Sequence, residues 1–253
     1  MKKMMIPPAI LIVLVATGTL LYYFYPSSPK EFYTTDEAKE LINEVYPEAK
    51  VDVVQEIVKV TDSHAFVPFI SEDNYMGASF WEWKNHKWKL IIVENSLLPK
   101  IWRIDKEDPE EAYIVWNIHP AMETDKLGIY MHGPRHYYEM DEVEHYEPQF
   151  QFEEIYSLKE HTYGAKQIPE EWAITLKNYY RMEELDDFRQ SITGNWPKGI
   201  GWYPLNEAEE ETLPEGGYYQ KNGVYDNDEK YQALQYLPML SEQELERDLG
   251  EEE

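Results

Sequence analysis

The sequence predicts an α+β protein held on a single N-terminal transmembrane helix. Three observations predict it: an apolar run without charge near the start, a capped amphipathic helix after it, and aromatic or β-branched runs separated by turn residues. Three parts follow. Residues 1–29 are the Lys-Lys start, the anchor and a Pro/Ser spacer; residues 30–160 are an α+β domain built on an antiparallel meander. Residues 161–253 are a helix and an irregular, Tyr/Glu-rich C-terminal region packed on that domain, with a frayed tail.

Met4 to Tyr25 reads MMIPPAILIVLVATGTLLYYFY, close to the roughly 20 apolar residues that carry a helix across a bilayer core. Pro7 and Pro8 fall in the first turn, where the missing amide hydrogen is not needed. Tyr22, Tyr23, Phe24 and Tyr25 suit the headgroup level, and Pro26-Ser27-Ser28-Pro29 stops the helix. Lys2 and Lys3 precede the run and no base follows before Lys30. The positive-inside rule then keeps the N-terminus in the cytoplasm and puts the remainder outside, at a cell membrane crossed once. A cleaved signal peptide is the competing reading, but the apolar run continues past Gly18 and no Ala-x-Ala site follows.

The charge balance narrows the partners. Lys and Arg number 23 against 49 Asp and Glu, a net charge of −26, which repels nucleic acid and anionic headgroups alike. The chain has no cysteine, so disulfides, a lipoprotein anchor and a thiol nucleophile are all excluded. An external domain without disulfides fits a Gram-positive bacterial surface protein, with a cell-wall component or another protein as partner.

Outside the anchor, Thr34-Thr35-Asp36-Glu37 is a capping box, and Ala38, Leu41, Ile42 and Val45 repeat at helical spacing after it. Val51 to Val60 and Ala65 to Ile70 are strand-like. The clearest hairpin crosses Asn85-His86: a two-residue turn there pairs Trp83 with Trp88 and Glu82 with Lys89. Further strands are expected at Lys100 to Ile104, Tyr113 to Ile118, Gly128 to His132 and Gln149 to Leu158. Helix followed by meander resembles the cystatin-like plan at the level of element order, which implies nothing about activity. Pro169 then opens a helix with Trp172, Leu176, Tyr179 and Tyr180 along one stripe.

The residues most suited to chemistry are His132, His136 and His145, set among Arg135, Glu139, Asp141 and Glu144. Imidazoles are good Zn²⁺ ligands, and three of them with an open fourth position make a catalytic zinc site. His119, at a strand end beside Asn117, is a second candidate, as a general base. Asp226-Asn227-Asp228-Glu229 offers oxygen ligands for Ca²⁺ without the glycine and distal glutamate of an EF-hand loop. Eight tryptophans and 21 tyrosines could line a groove for glycan or peptide. No Gly-x-Ser-x-Gly or His-Glu-x-x-His is present. The function expected is therefore a membrane-anchored binding or interaction protein rather than an enzyme. The alternatives are a metal-dependent cell-wall hydrolase using His132, His136 and His145, and a wall-polysaccharide-binding module.

Overall fold

A computed structural model describes residues 10, 13, 17–18, 27–105, 108–133, 136–140, 143–147, 149–183, 199–210, 212, 223–227, 233–241 and 245. The side chains of residues 136, 138–140, 143–145, 147 and 178–183 lie outside the description. Strands account for 47% of the structure, nearly all antiparallel, against two helices. The α+β expectation is corrected to a mostly β protein.

The expected anchor is corrected too. Among the described residues no helix is long and apolar enough to cross a membrane, and most of Met4 to Tyr25 lies outside those residues. The single-pass topology and the cell-membrane location drawn from that helix fall with it. An uncharged run is necessary for a span but does not by itself make one. A span needs about 20 residues of continuous helix, and of this run only Ile10, Val13, Thr17 and Gly18, all helical, are among the described residues.

Helix α1 (Thr35–Val45) opens with the capping box: the Thr34 side chain accepts from the Glu37 amide and the Glu37 carboxylate accepts from the Thr34 amide at 2.8 Å. Its buried residues Ala38 and Ile42 face the first sheet. That sheet holds β1 (Val51–Val54), β2 (Val58–Thr61), β3 (His64–Ser71), β4 (Met76–Lys84) and β5 (Lys87–Glu94). It is completed by β14 (Val224–Asp226), in the order β1-β3-β4-β5-β14, with β2 also pairing β3.

The β4–β5 hairpin has the register its sequence predicts, with Glu82 opposite Lys89 and Trp83 opposite Trp88. Asn85 and His86 sit at φ of 54° and 63°, the doubly left-handed geometry of the turn that matches strand twist. A bulge between Phe80 and Trp81 leaves Ile91 and Ile92 both on the inner face, so the strand changes phase partway. The chain before α1 lies across this hairpin: Trp83 Nε1 donates to Ser27 O at 3.0 Å and Trp88 Nε1 to Lys30 O at 3.1 Å. Phe32 meets Trp88 edge-on, with ring centroids 4.9 Å apart.

The second sheet is β12-β7-β6-β15, from β6 (Lys100–Arg103), β7 (Ala112–Asn117), β12 (Tyr163–Gln167) and β15 (Leu234–Tyr236). It is covered on both sides, and all six residues of β7 are buried. Tyr113 and Val115 pack with Phe66 and Phe80 of the first sheet, whereas Ile114 and Trp116 pack with Leu127, Ile129 and Trp202 of the third. The third sheet is β11-β8-β13, from β8 (Lys126–Gly133), β11 (Phe150–Ser157) and β13 (Ile200–Leu205). Helix α2 (Glu170–Glu183) contributes Trp172 and Leu176 to that same core. On the far face, Tyr130 and Tyr203 cluster with Leu240 and Leu245 of the C-terminal segment.

The described residues of the C-terminal part include three strands where the sequence reading expects irregular chain. Strands β13, β14 and β15 each complete a different sheet. Strands of three to six residues carry too few positions to show a period of two, and their partners supply the order.

Two outcomes test these local features. Because Gly takes positive φ without a side-chain penalty, His86→Gly is expected to leave stability unchanged or raise it; a loss above about 1 kcal/mol in urea unfolding would show that the imidazole contributes contacts. The amide and hydroxyl of Thr34 hold the Glu37 carboxyl below its ordinary range. A depressed folded value stabilises above the unfolded pKa of about 4.3, and that stabilisation disappears as pH falls through the folded value. Glu37→Gln should therefore flatten the acid limb of a stability-against-pH curve and leave its shape near neutrality unchanged.

Candidate functional site

Four polar arrangements qualify for inspection, and three of them are structural. The first is an ion pair in the core. Lys100 on β6 is 8% exposed and Glu94 at the end of β5 is 2% exposed, and Lys100 Nζ bonds Glu94 Oε1 across the space between the first and second sheets. Glu94 Oε2 is buried with no hydrogen-bond partner among the described residues. Nearby, Asn117 Nδ2 on β7 lies 2.8 Å from Gly77 O and 2.8 Å from Gln55 Oε1, a second tie between the same sheets.

The second is His119. Its Nδ1 accepts from the Ala121 amide at 3.0 Å, which leaves the ring proton on Nε2, 3.1 Å from the Asn74 carbonyl oxygen. Both nitrogens are engaged in capping the 3-10 turn Pro120–Met122 and holding the β3–β4 turn. The residue proposed as a base is a joint between loops.

The third is His64, which the sequence did not single out. Its Nδ1 lies 3.0 Å from Thr61 Oγ1 and 3.1 Å from Ser63 Oγ, inside the β2–β3 turn. The ring meets Trp102 edge-on at 5.7 Å. A serine one residue from a histidine suggests a nucleophile pair, but the hydroxyls here close the turn: the Ser63 amide donates to Thr61 Oγ1 at 3.2 Å.

An open cavity of about 300 Å³ is lined by Glu110, Gln167, Ile168, Glu170 and Ala173. It opens beside the N-terminus of α2, where the helix dipole favours an anion, but its carboxylates oppose one. Lys177 lies 4.0 Å from both Asp108 and Glu110 at its rim.

The fourth arrangement is a ribbon. Strands β8 and β11 pair from Lys126 opposite Ser157 to Gly133 opposite Phe150. Strands β9 (His136–Met140) and β10 (Val143–Glu147) pair from His136 opposite Glu147 to Met140 opposite Val143. The chain advances by the same number of residues on both sides between the two ladders, so they form one hairpin in one register. Strand β13 supports its base from Lys126 to Met131, and the His132 amide donates to Gly199 O at 2.6 Å. There Gly199, at φ of +85°, brings its backbone against His132, and a Cβ would collide with the His132 carbonyl oxygen. Farther out the ribbon is a two-stranded sheet.

On that outer part Tyr137 stands opposite Tyr146, and the two are 63% and 59% exposed. The next pair on the same face, by the two-residue period of a strand, is Glu139 opposite Glu144. Large exposed aromatics describe a contact surface rather than a reaction centre.

The predicted metal residues fall on the same ribbon. His132 is on β8 opposite Gln151, His136 opens β9, and His145 is on β10 opposite Tyr138. The side chains of His136 and His145 lie outside the described residues, and among the described residues no group of three metal-ligating side chains occurs. Of the proposed calcium loop, Asn227 bonds back to β5, with its amide donating to Ile91 O at 2.8 Å, while Asp228 and Glu229 lie outside the described residues. The tryptophans are core: Trp81, Trp88, Trp102, Trp116, Trp172 and Trp202 are all buried. Trp83 is half-buried against Trp88, and Trp196 lies outside the described residues. The exposed ring pair, Tyr137 and Tyr146, comes from the 21 tyrosines that the sequence offers beside the tryptophans.

Comparison with protein-family models, with curated proteins and with solved structures finds no match to the chain.

The core pair gives a test of structure separate from function. Lys100→Met leaves a carboxylate buried without its counter-charge and should cost about 3 to 5 kcal/mol in urea unfolding. Adding Glu94→Gln to it should recover most of that loss. A double variant as unstable as the sum of the two single changes would show that the pair does not act as a unit.

Proposed function

We propose that the protein is a binding or interaction protein that works through the outer part of its β-ribbon, without chemistry of its own. The observation that carries this reading is the facing pair Tyr137 and Tyr146, more than half exposed on a segment that pairs with no third strand among the described residues. A lone two-stranded hairpin is marginal in water, so a fold that extends one beyond its sheet and puts aromatic rings on it gains when a second surface covers them. Tyrosine suits that role, combining a large apolar face with a polar tip at small entropic cost, and it is enriched where binding energy concentrates.

The rest of the molecule supports the ribbon. Its base is fixed by Gly199 and β13, and its inner face packs on α2 and the second sheet through Ile129, Met131, Phe150 and Phe152.

The test is the paired substitution Tyr137→Ser with Tyr146→Ser in the full chain. The thermal midpoint should stay within a few degrees of the unsubstituted protein, because neither ring is buried. Chemical cross-linking in the native extract should lose its specific adducts. Retention of the same adducts at the same yield would remove the ribbon from the function.

A further inference from the structure

We infer that β14 is a detachable cover over the β5 edge of the first sheet. It opens as a unit while the rest of that sheet stays folded, so the edge alternates between paired and bare. This device is separate from the interaction reading above, which concerns the ribbon alone.

Three observations carry it. First, no residue of β14 is buried. Val224 is 42% exposed, and only Tyr225 reaches the core under α1, half-buried with its ring centroid 6.1 Å from that of Tyr46. The other late strands differ: all six residues of β13 are buried, and β15 buries Leu234. Second, β14 is held mainly by hydrogen bonds to backbone. The Asn95 amide donates to Gly223 O at 3.1 Å, the Asn227 amide to Ile91 O at 2.8 Å, and Asn227 Nδ2 to Leu90 O at 3.3 Å. Such bonds are exchanged for bonds to water with a small net loss, and a segment with little buried apolar surface opens well below the cost of global unfolding. Third, β5 does not depend on its cover. It pairs with β4 from Lys87 to Glu94. Ile92 belongs to the core shared with the second sheet and Val93 to the core under α1, and both are fully buried. Opening therefore bares backbone groups and leaves both cores closed.

Gly223 supplies a lever. A Cβ there would meet Asn95 Nδ2 at 2.3 Å and the Tyr46 hydroxyl at 2.9 Å, so Gly223→Ala pries β14 away where Asn95 holds it.

Hydrogen exchange read residue by residue in the full-length protein, and corrected for intrinsic rates, is the test. The Asn95 and Asn227 amides report on β14. The Leu97 amide, bonded to Met76 O at 2.8 Å, and the Asn117 amide, bonded to Leu97 O at 3.0 Å, report on the layers behind it. The first two should exchange at least tenfold faster than the second two. They should also respond little to low urea, because the opening exposes little surface. Gly223→Ala should speed the first two by at least a further tenfold and leave the second two unchanged. Tyr225→Ala introduces no clash and should act in the same direction, which keeps the inference testable if the first variant fails to fold. Exchange of all four amides at one rate with one urea dependence would overturn the inference, because β14 would then open only with its sheet. A Tyr225→Ala protein in which all four quicken together would overturn it as well.

Discussion

Lys100 carries its ammonium into the space between two sheets, where an isolated charge would cost several kcal/mol, and the Glu94 carboxylate makes that position tolerable. The pair joins the last residue of β5 to the first of β6 and so determines where the chain leaves the first sheet and begins the second. Since β6 and β7 then lie between two apolar layers, every side chain of β7 is buried whichever face it occupies. Asn117 at its far end repeats the solution with uncharged groups, donating to the Gly77 carbonyl and Gln55. An interior that buries both faces of a sheet has no solvent side on which to place polar groups. Lys100 Nζ, Glu94 Oε1 and Asn117 Nδ2 are matched across the sheets, whereas Glu94 Oε2 has no partner among the described residues.

The same layering gives structural bonds to residues that look reactive in the sequence. His119 and His64 lie at turns where their ring nitrogens satisfy backbone amides and hydroxyls, and the indoles fill the gaps between layers. What remains for recognition is the part of the structure that the layers do not reach. The outer ribbon, β9 with β10, is that part: among the described residues it pairs with no third strand, and its facing Tyr137 and Tyr146 are exposed.

Much of the candidate site was written in the sequence but under a different heading. The stretch from His132 to His145 stands out for its imidazoles and acids, and it contains β9 and the first residues of β10. The misplaced emphasis has a physical origin. Histidine identity signals coordination chemistry, whereas exposure is set by which third strand runs alongside, and nothing in HYYEM or VEHYE encodes the length of β13. Tyr137 and Tyr146 were two among 21 tyrosines, indistinguishable in composition from Tyr130 and Tyr203, which are core.

The sequence by itself determined the features whose causes lie within a few residues. The Thr34 to Glu37 capping box starts α1, the Trp172 and Leu176 stripe seats α2, and Asn85-His86 sets a register that pairs Trp83 with Trp88. Each depends on local dihedral preference or on one face repeating at one period. Only the tertiary structure decided that the late strands β13, β14 and β15 each complete a different sheet. It alone decided that Lys100 meets Glu94 and that one ribbon outruns its support. These rest on contacts between distant parts of the chain, whose stability comes from the surface they bury together; a short strand has no such surface until its partner is beside it.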